Sequence, residues 1–194
     1  DGGWNVHPTF WLPHEGLEAK ADADAVPYVR WEEEGYLQTA PGRTVDYAYV
    51  AEHIWDLVGD MPHLKGFAFD RYNWRHFRPY LERVGFTEEQ LEGDNALIRE
   101  FGQGFLSMSP AVRTLEGAIL DNHLRHGDHP ILTMCMAKTR LQKDPAGNRK
   151  PAKHKSTGRI DGMVSLTMAA GIIGDGAQEA PSSTYMDDNE ILVL

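Results

Sequence analysis

Asp70 and Asp161 are the residues of this chain whose types and settings could do chemistry. Asp70 closes the apolar part of LKGFAFDRYNW (64–74), where a run suited to a buried strand stops at an acid and passes into a polar turn. In open α/β sheets ligands bind at such places, outside the carboxyl ends of the strands. Asp161 lies in STGRIDGMVSLTMAAG (156–171), within the first turn of a strongly apolar helix, where it can face the strand end. Two such acids offer the hard oxygen ligands that Mg or Mn prefers. Phosphodiester hydrolysis by two metals needs carboxylates that converge on cations about 3.5–4 Å apart. The plainer reading of the same residues is that Asp70 caps the next helix and Asp161 is an acid favoured by the helix dipole. Spacing alone leaves both readings open.

Other polar residues are weaker candidates. His123, His126 and His129 in HLRHGDH are spaced like transition-metal ligands, but they straddle a Gly turn and form no zinc pattern. Lys155, Ser156, Thr157 and Arg159 lie beside Asp161 and could contact a substrate phosphate, or form an ordinary solvated loop. Gln103, between Gly102 and Gly104, could approach a nucleic-acid backbone or simply build a turn. Trp55, Trp74, Phe77 and Met168 fall at core spacing, and the single Cys135 reads as a buried structural thiol.

The elements that must position the two acids are legible in the hydrophobic pattern. Trp4–Leu12 alternates as a strand that Pro8 bends or places at an edge, after a turn signal at Asp1-Gly2-Gly3. Two short helical pieces follow at Gly16–Asp24 and Pro27–Gly35, then a short strand at Tyr36–Thr39. Thr44 or Asp46 caps a helix to about Val58, with Tyr47, Val50, Ile54 and Leu57 as its buried stripe. After the Asp70 strand, a helix from about Asn73 to Val84 ends at Gly85. Ala96–Phe101 reads as a strand, Ser109-Pro110 as a helix start, His129–Lys138 as a helix and Thr139–Lys143 as a strand. The Lys-, Pro- and Gly-rich stretch 144–158 reads as a mobile loop with no regular element, and Arg159–Gly171 as the final helix.

Composition limits the function classes. The chain of 194 residues is 41% hydrophobic, enough for one core, and divides into a domain over 1–173 and a flexible acidic tail over 174–194. No leader or membrane-length apolar run is seen, so an intracellular setting is expected. The net charge of −10 argues against a dedicated nucleic-acid-binding module. Basic residues nevertheless gather at Arg140, Lys143, Arg149, Lys150, Lys153, Lys155 and Arg159, just before Asp161.

The segments YLQTAPGRTVDYAYV, FAFDRYNW, GQGFLSMSPAVRTLE, HPILTMCMAKTRLQKDPAGNRKP and KSTGRIDGMVSLTMA resemble, in order, the nuclease domain of tailed-bacteriophage terminase large subunits. The resemblance covers most of residues 4–173. It implies an α/β fold: a ribonuclease-H-like mixed sheet flanked by helices, on which acids bind Mg or Mn in a two-metal site. It implies an endonuclease that cuts concatemeric double-stranded DNA during genome packaging in the host cytoplasm. The partners it implies are the portal protein, the small terminase subunit and an ATPase motor domain. Asp70 matches the family's second metal-binding acid, and Asp161 the acid that starts the last helix.

Two departures accompany the match. The family's first metal-binding aspartate lies on a central strand upstream of the point where this sequence starts, so a sheet lacking that strand is expected. It would be completed by another segment or chain, or by a rearranged edge, since unpaired interior backbone is costly. No GxxxxGK[ST] loop occurs in these residues. A non-catalytic fragment that docks on the portal or another packaging partner is therefore the alternative. A recombination nuclease or resolvase of the same fold is a third.

Overall fold

The computed structural model describes residues 3–61, 64, 66–93, 96–179 and 190–193, with side chains described as far as residue 174. The N-terminal strand splits where Pro8 removes a donor. β1 spans Trp4–Pro8 and β2 Trp11–Pro13, with Thr9 and Phe10 between them. α1 (Leu17–Asp24) and α2 (Tyr28–Glu33) follow, then β3 (Gln38–Ala40), which pairs with β2 in parallel. α3 spans Tyr47–Asp60 and is capped by Asp46, whose carboxylate accepts from the Ala48 amide at 2.9 Å. Its buried face is set by Ala51 and Ile54, while the expected stripe residue Tyr47 remains 39% exposed against Phe77 and Tyr80.

β4 (Phe67–Asp70) leads directly into α4 (Arg71–Val84), with Asp70 itself as the cap, so the helix begins two residues before the expected Asn73. After the one-turn α5 (Glu88–Leu91), β5 (Ile98–Phe101) pairs with β4 in parallel, Asp70 opposite Phe101. α6 (Phe105–Leu120) begins well before the predicted Ser109-Pro110 start. Pro110 lies inside its second turn, where the helix forgoes one backbone bond. β6 (Leu124–Arg125) and α7 (Pro130–Lys138) lead to a β-hairpin, β7 (Leu141–Lys143) with β8 (Arg149–Pro151).

That hairpin corrects the reading of 144–158 as a loop without regular structure. Asp144 accepts from the Asn148 amide at 2.8 Å and from the Asn148 side chain at 2.9 Å, and Gly147 at φ 84° completes the turn. Side-chain bonds from Asn and Asp thus supply the order that composition alone does not reveal.

α8 spans Asp161–Glu179, past the expected end at Gly171, and β9 (Glu190–Val193) lies within the stretch read as a tail; 180–189 fall outside the described residues. β9 pairs in parallel with β1, and β6 pairs in parallel with its other edge, so β1 is the central strand of a three-stranded sheet. The turn signal at Asp1-Gly2-Gly3 falls largely outside the described residues, which begin at Gly3.

Three apolar clusters hold these pieces together. One joins β1, α1, α2, α7 and α8 through Val6, Leu17, Tyr28, Leu132 and Leu166. A second packs α3 and α4 on one face of the β4–β5 pair through Ile54, Phe67, Trp74, Phe77 and Leu81. The third packs the opposite face against α6 and α8 through Phe101, Met108, Ile160, Val164 and Met168. Trp74, Phe77 and Met168 are core residues as expected, whereas Trp55 is 41% exposed and lies edge-on to Phe86 over Gly85.

Candidate active site

Side chains alternate across a strand, so β4 presents two different surfaces. Phe67 and Phe69 join the α3–α4 cluster, and Ala68 packs on the other face with Ile160 and Val164 from the start of α8. Asp70 shares the parity of Ala68. It therefore projects from the α8 side of the sheet, at the carboxyl end of a parallel pair. Asp161 opens α8 on that same side, next to the buried Ile160.

Asp70 performs the capping role and keeps a second one. Its Oδ1 accepts from the Tyr72 amide at 3.1 Å, while Oδ2 accepts from the Gln103 side-chain amide at 3.0 Å. Gln103 is placed by the turn that follows β5, and its own carbonyl accepts from Lys150 Nζ at 3.2 Å. Lys150 also stands 5.1 Å over the Phe105 ring. Asp161 Oδ1 is met by Lys153 Nζ at 2.5 Å, both side chains being more than half exposed. The basic hairpin and the turn after it thus reach the surroundings of both acids, Lys150 through Gln103 and Lys153 directly.

The hairpin is itself pinned to α6. Arg149 donates to both carboxylate oxygens of Glu116, at 2.7 and 2.5 Å, and its amide donates to Ser109 Oγ at 3.2 Å. Bidentate geometry makes this pair stiffer than an ordinary surface ion pair. Glu116→Gln is expected to cost only about 1 kcal/mol of global stability, because Glu116 is partly solvated. It should nonetheless raise amide exchange across β7–β8, measured by hydrogen–deuterium exchange, well before the core exchanges.

The other predicted contacts divide. Lys155 and Thr157 are exposed in the stretch between β8 and Asp161. The Ser156 hydroxyl accepts from the Arg140 amide at 3.0 Å and donates to the Ala152 carbonyl at 2.9 Å, so it serves the turn. Arg159 faces α1, with Nε 3.4 Å from Asp24. That carboxyl is held below its ordinary value, chiefly by the hydrogen bond from Lys20, with Tyr28 and Arg159 adding to it. Sequence reasoning missed Lys150, Lys153 and Glu116 as individuals. The charge cluster was visible, but which of its members reach the acids depends on the hairpin.

Among the described residues no group of three or more His, Cys, Asp or Glu side chains gathers closely enough to hold a metal ion. His129 is buried between Phe10 and Tyr36, with ring centroids 5.4 and 5.1 Å away. Burial, aided by His126, lowers its pKa, and burial likewise lowers that of His53 despite Asp56. Histidines that titrate lower when folded leave the unfolded chain to take up protons first. Stability should therefore fall as the pH drops below about 6.5. A thermal-denaturation series from pH 7.5 to 5.5 checks this, with a shallower decline expected in His129→Asn.

Comparison with known proteins decides the family. The model of the terminase large subunit endonuclease domain matches residues 5–176. The chain belongs to that family. It is 46% identical over 171 residues to the terminase large subunit of Enterobacteria phage HK97, a match covering 88% of this chain and 32% of the relative. It is 27% identical over 175 residues to protein YmfN of Escherichia coli K12, covering 87% of this chain and 36% of that protein. The crystal structure of the HK97 large terminase superposes with a TM-score of 0.75 at 44% identity, over 84% of this chain and 32% of that one. The chain thus spans about a third of the length of the curated relatives it matches. No helix among the described residues is long and apolar enough to cross a membrane.

Proposed function

We propose that this terminase endonuclease domain cuts concatemeric double-stranded DNA during phage genome packaging, with Asp70 and Asp161 as the acids of a Mg- or Mn-dependent site on a ribonuclease-H-like sheet. The observation that carries the reading is the shared side of β4 and α8. Ala68 packs against the start of α8, and Asp70 projects from that face at a parallel strand end. The donor set suits a hard cation, since Mg is commonly held by one or two carboxylates together with waters and substrate phosphates. A bound cation there would supply an activated water and charge neutralisation for the leaving oxygen.

The chain's own residues do the remaining work. The Tyr72 amide fixes one oxygen of Asp70, and Gln103 orients the other. Lys153 lies against Asp161 where a cation is favoured, and it would turn to a DNA phosphate once that carboxylate is otherwise neutralised. Lys150 on the hairpin, with Lys155 and Thr157 after it, would extend the contact surface along the DNA backbone, and Ser156 holds the turn that follows the hairpin. In the cell, the domain would work in the host cytoplasm with an ATPase motor, the portal and the small terminase subunit.

Incubation with supercoiled plasmid in Mn, Mg or EDTA tests the reading. Nicking and linearisation in Mn or Mg, absent in EDTA, is the expected result. A non-catalytic docking domain is the second reading, favoured by the lack of a three-ligand cluster among the described residues. It predicts no cleavage in any of the three and retained binding to the portal.

A further inference from the structure

A second concave site lies at the β6–β1–β9 sheet, along the edge of β1 beyond the end of β6. It is a pocket of about 510 Å³ whose lining includes Asn5, His7, Tyr36, Arg125, His126 and His129. Among the described residues, its lining side chains include an arginine and three histidines and no carboxylate. Asp128, the acid nearest in sequence, is not part of the lining.

Two features mark it as more than a surface dent. His129 is 9% exposed, and its Nδ1 has no hydrogen-bond partner among the described residues; the same is true of the buried Nδ1 of His126. A buried polar atom left without a partner carries a desolvation cost, which a turn of the ring toward a bound ligand would relieve. Arg125 is exposed and, among the described residues, has no carboxylate within ion-pair distance. Its guanidinium lies beside Gly3, where a Cβ would come within 2.9 Å, so the glycine just before β1 leaves room for it.

The chemistry favours an anion over a metal. Three histidines line the pocket, yet no three His, Cys, Asp or Glu among the described residues gather as a metal group. An arginine beside three imidazoles offers N–H donors that match the oxygens of a phosphate. The pocket also adjoins the candidate cutting site. Phe10 touches the His129 ring on one side, and on the other its ring would be struck at 2.7 Å by a Cβ on Gly162, the residue after Asp161.

We propose that the Arg125–His126–His129 pocket holds a phosphate group, the backbone phosphate of a DNA strand on its way to Asp161. The second part rests on the nuclease reading; the first does not.

Titration in EDTA separates the two, because it needs no metal and no cleavage. Histidine ring signals are followed by NMR while inorganic phosphate, and separately a single-stranded DNA hexanucleotide, is added at constant ionic strength. The expected result is saturable shifts at His126 and His129 with both, competition between them, and about tenfold weaker binding in Arg125→Gln and His126→Gln. Arg125 is exposed, so its variant keeps the fold even if a change at the buried His129 does not. Shifts with phosphate that the hexanucleotide neither causes nor displaces would keep the anion site and overturn its assignment to DNA. No shift with phosphate, or shifts undiminished in both variants, would overturn the site itself.

Discussion

Asp70→Asn and Asp161→Asn are each expected to lower metal-dependent plasmid cleavage by about a thousandfold or more while leaving the fold intact. The size follows from the several kcal/mol that a correctly held metal contributes to charge stabilisation, at about 1.4 kcal/mol per tenfold in rate. The two variants differ in their side effects. Asparagine at 70 still caps α4, since its side-chain oxygen can accept from the Tyr72 amide, so the thermal midpoint should hardly move. Asparagine at 161 releases Lys153 from an exposed ion pair and should likewise cost little stability. Loss of activity with unchanged melting would assign both acids to the chemistry. Full activity in either variant would remove that residue from it.

The second large effect is on packing. Gly171 sits on α8 where the helix crosses α6, and a Cβ there would stand 2.6 Å from the Phe101 ring and 3.1 Å from the Ala111 methyl. Gly171→Val inserts a branched side chain into that contact. Overpacking costs about 1–3 kcal/mol, and the severity of this clash places the variant at or above the upper end. Replacing glycine in a helix returns only a few tenths of that, because valine is itself a modest helix former. Phe101 is the register partner of Asp70, so moving its ring also disturbs the strand end that carries the acid. Chemical denaturation should show a loss of about 3 kcal/mol, accompanied by reduced cleavage in the fraction that remains folded. A midpoint equal to that of the parent would mean that α6 and α8 pack less tightly than described.

The placement of Asp70 at a strand end and of Asp161 at a helix start was legible because their local settings are simple. An apolar run that stops at an acid and a glycine-rich entry to an apolar helix are both written in a few consecutive residues. The same holds for the Asp46 cap on α3 and the Gly85 end of α4. What the sequence hid depends on partners far along the chain. The β7–β8 hairpin rests on an Asp144–Asn148 turn and on Arg149 reaching Glu116, neither of which is a periodic signal. α6 starts at Phe105 because tertiary packing of Met108 and Ala111 on α8 outweighs the proline that marked a later start. β9 is too short and too deeply embedded in a polar stretch for its pairing with β1 to be read from composition.

The role of Lys153 also emerges only from the fold. A lysine against the last-helix acid changes what a cation must do at this site, since the ammonium has to be displaced for that carboxylate to serve as a ligand. Gln103 fixes Asp70 without carrying charge, so it orients that carboxylate without competing for it.

The measurement that tests the account most directly is Mn binding by the domain, followed by electron paramagnetic resonance, for the parent, Asp70→Asn, Asp161→Asn and the double variant. If the two acids share one site, each single change should weaken binding strongly and the double change should add little to either. Binding that is lost in neither single variant, or losses that simply add as for two independent sites, would contradict it.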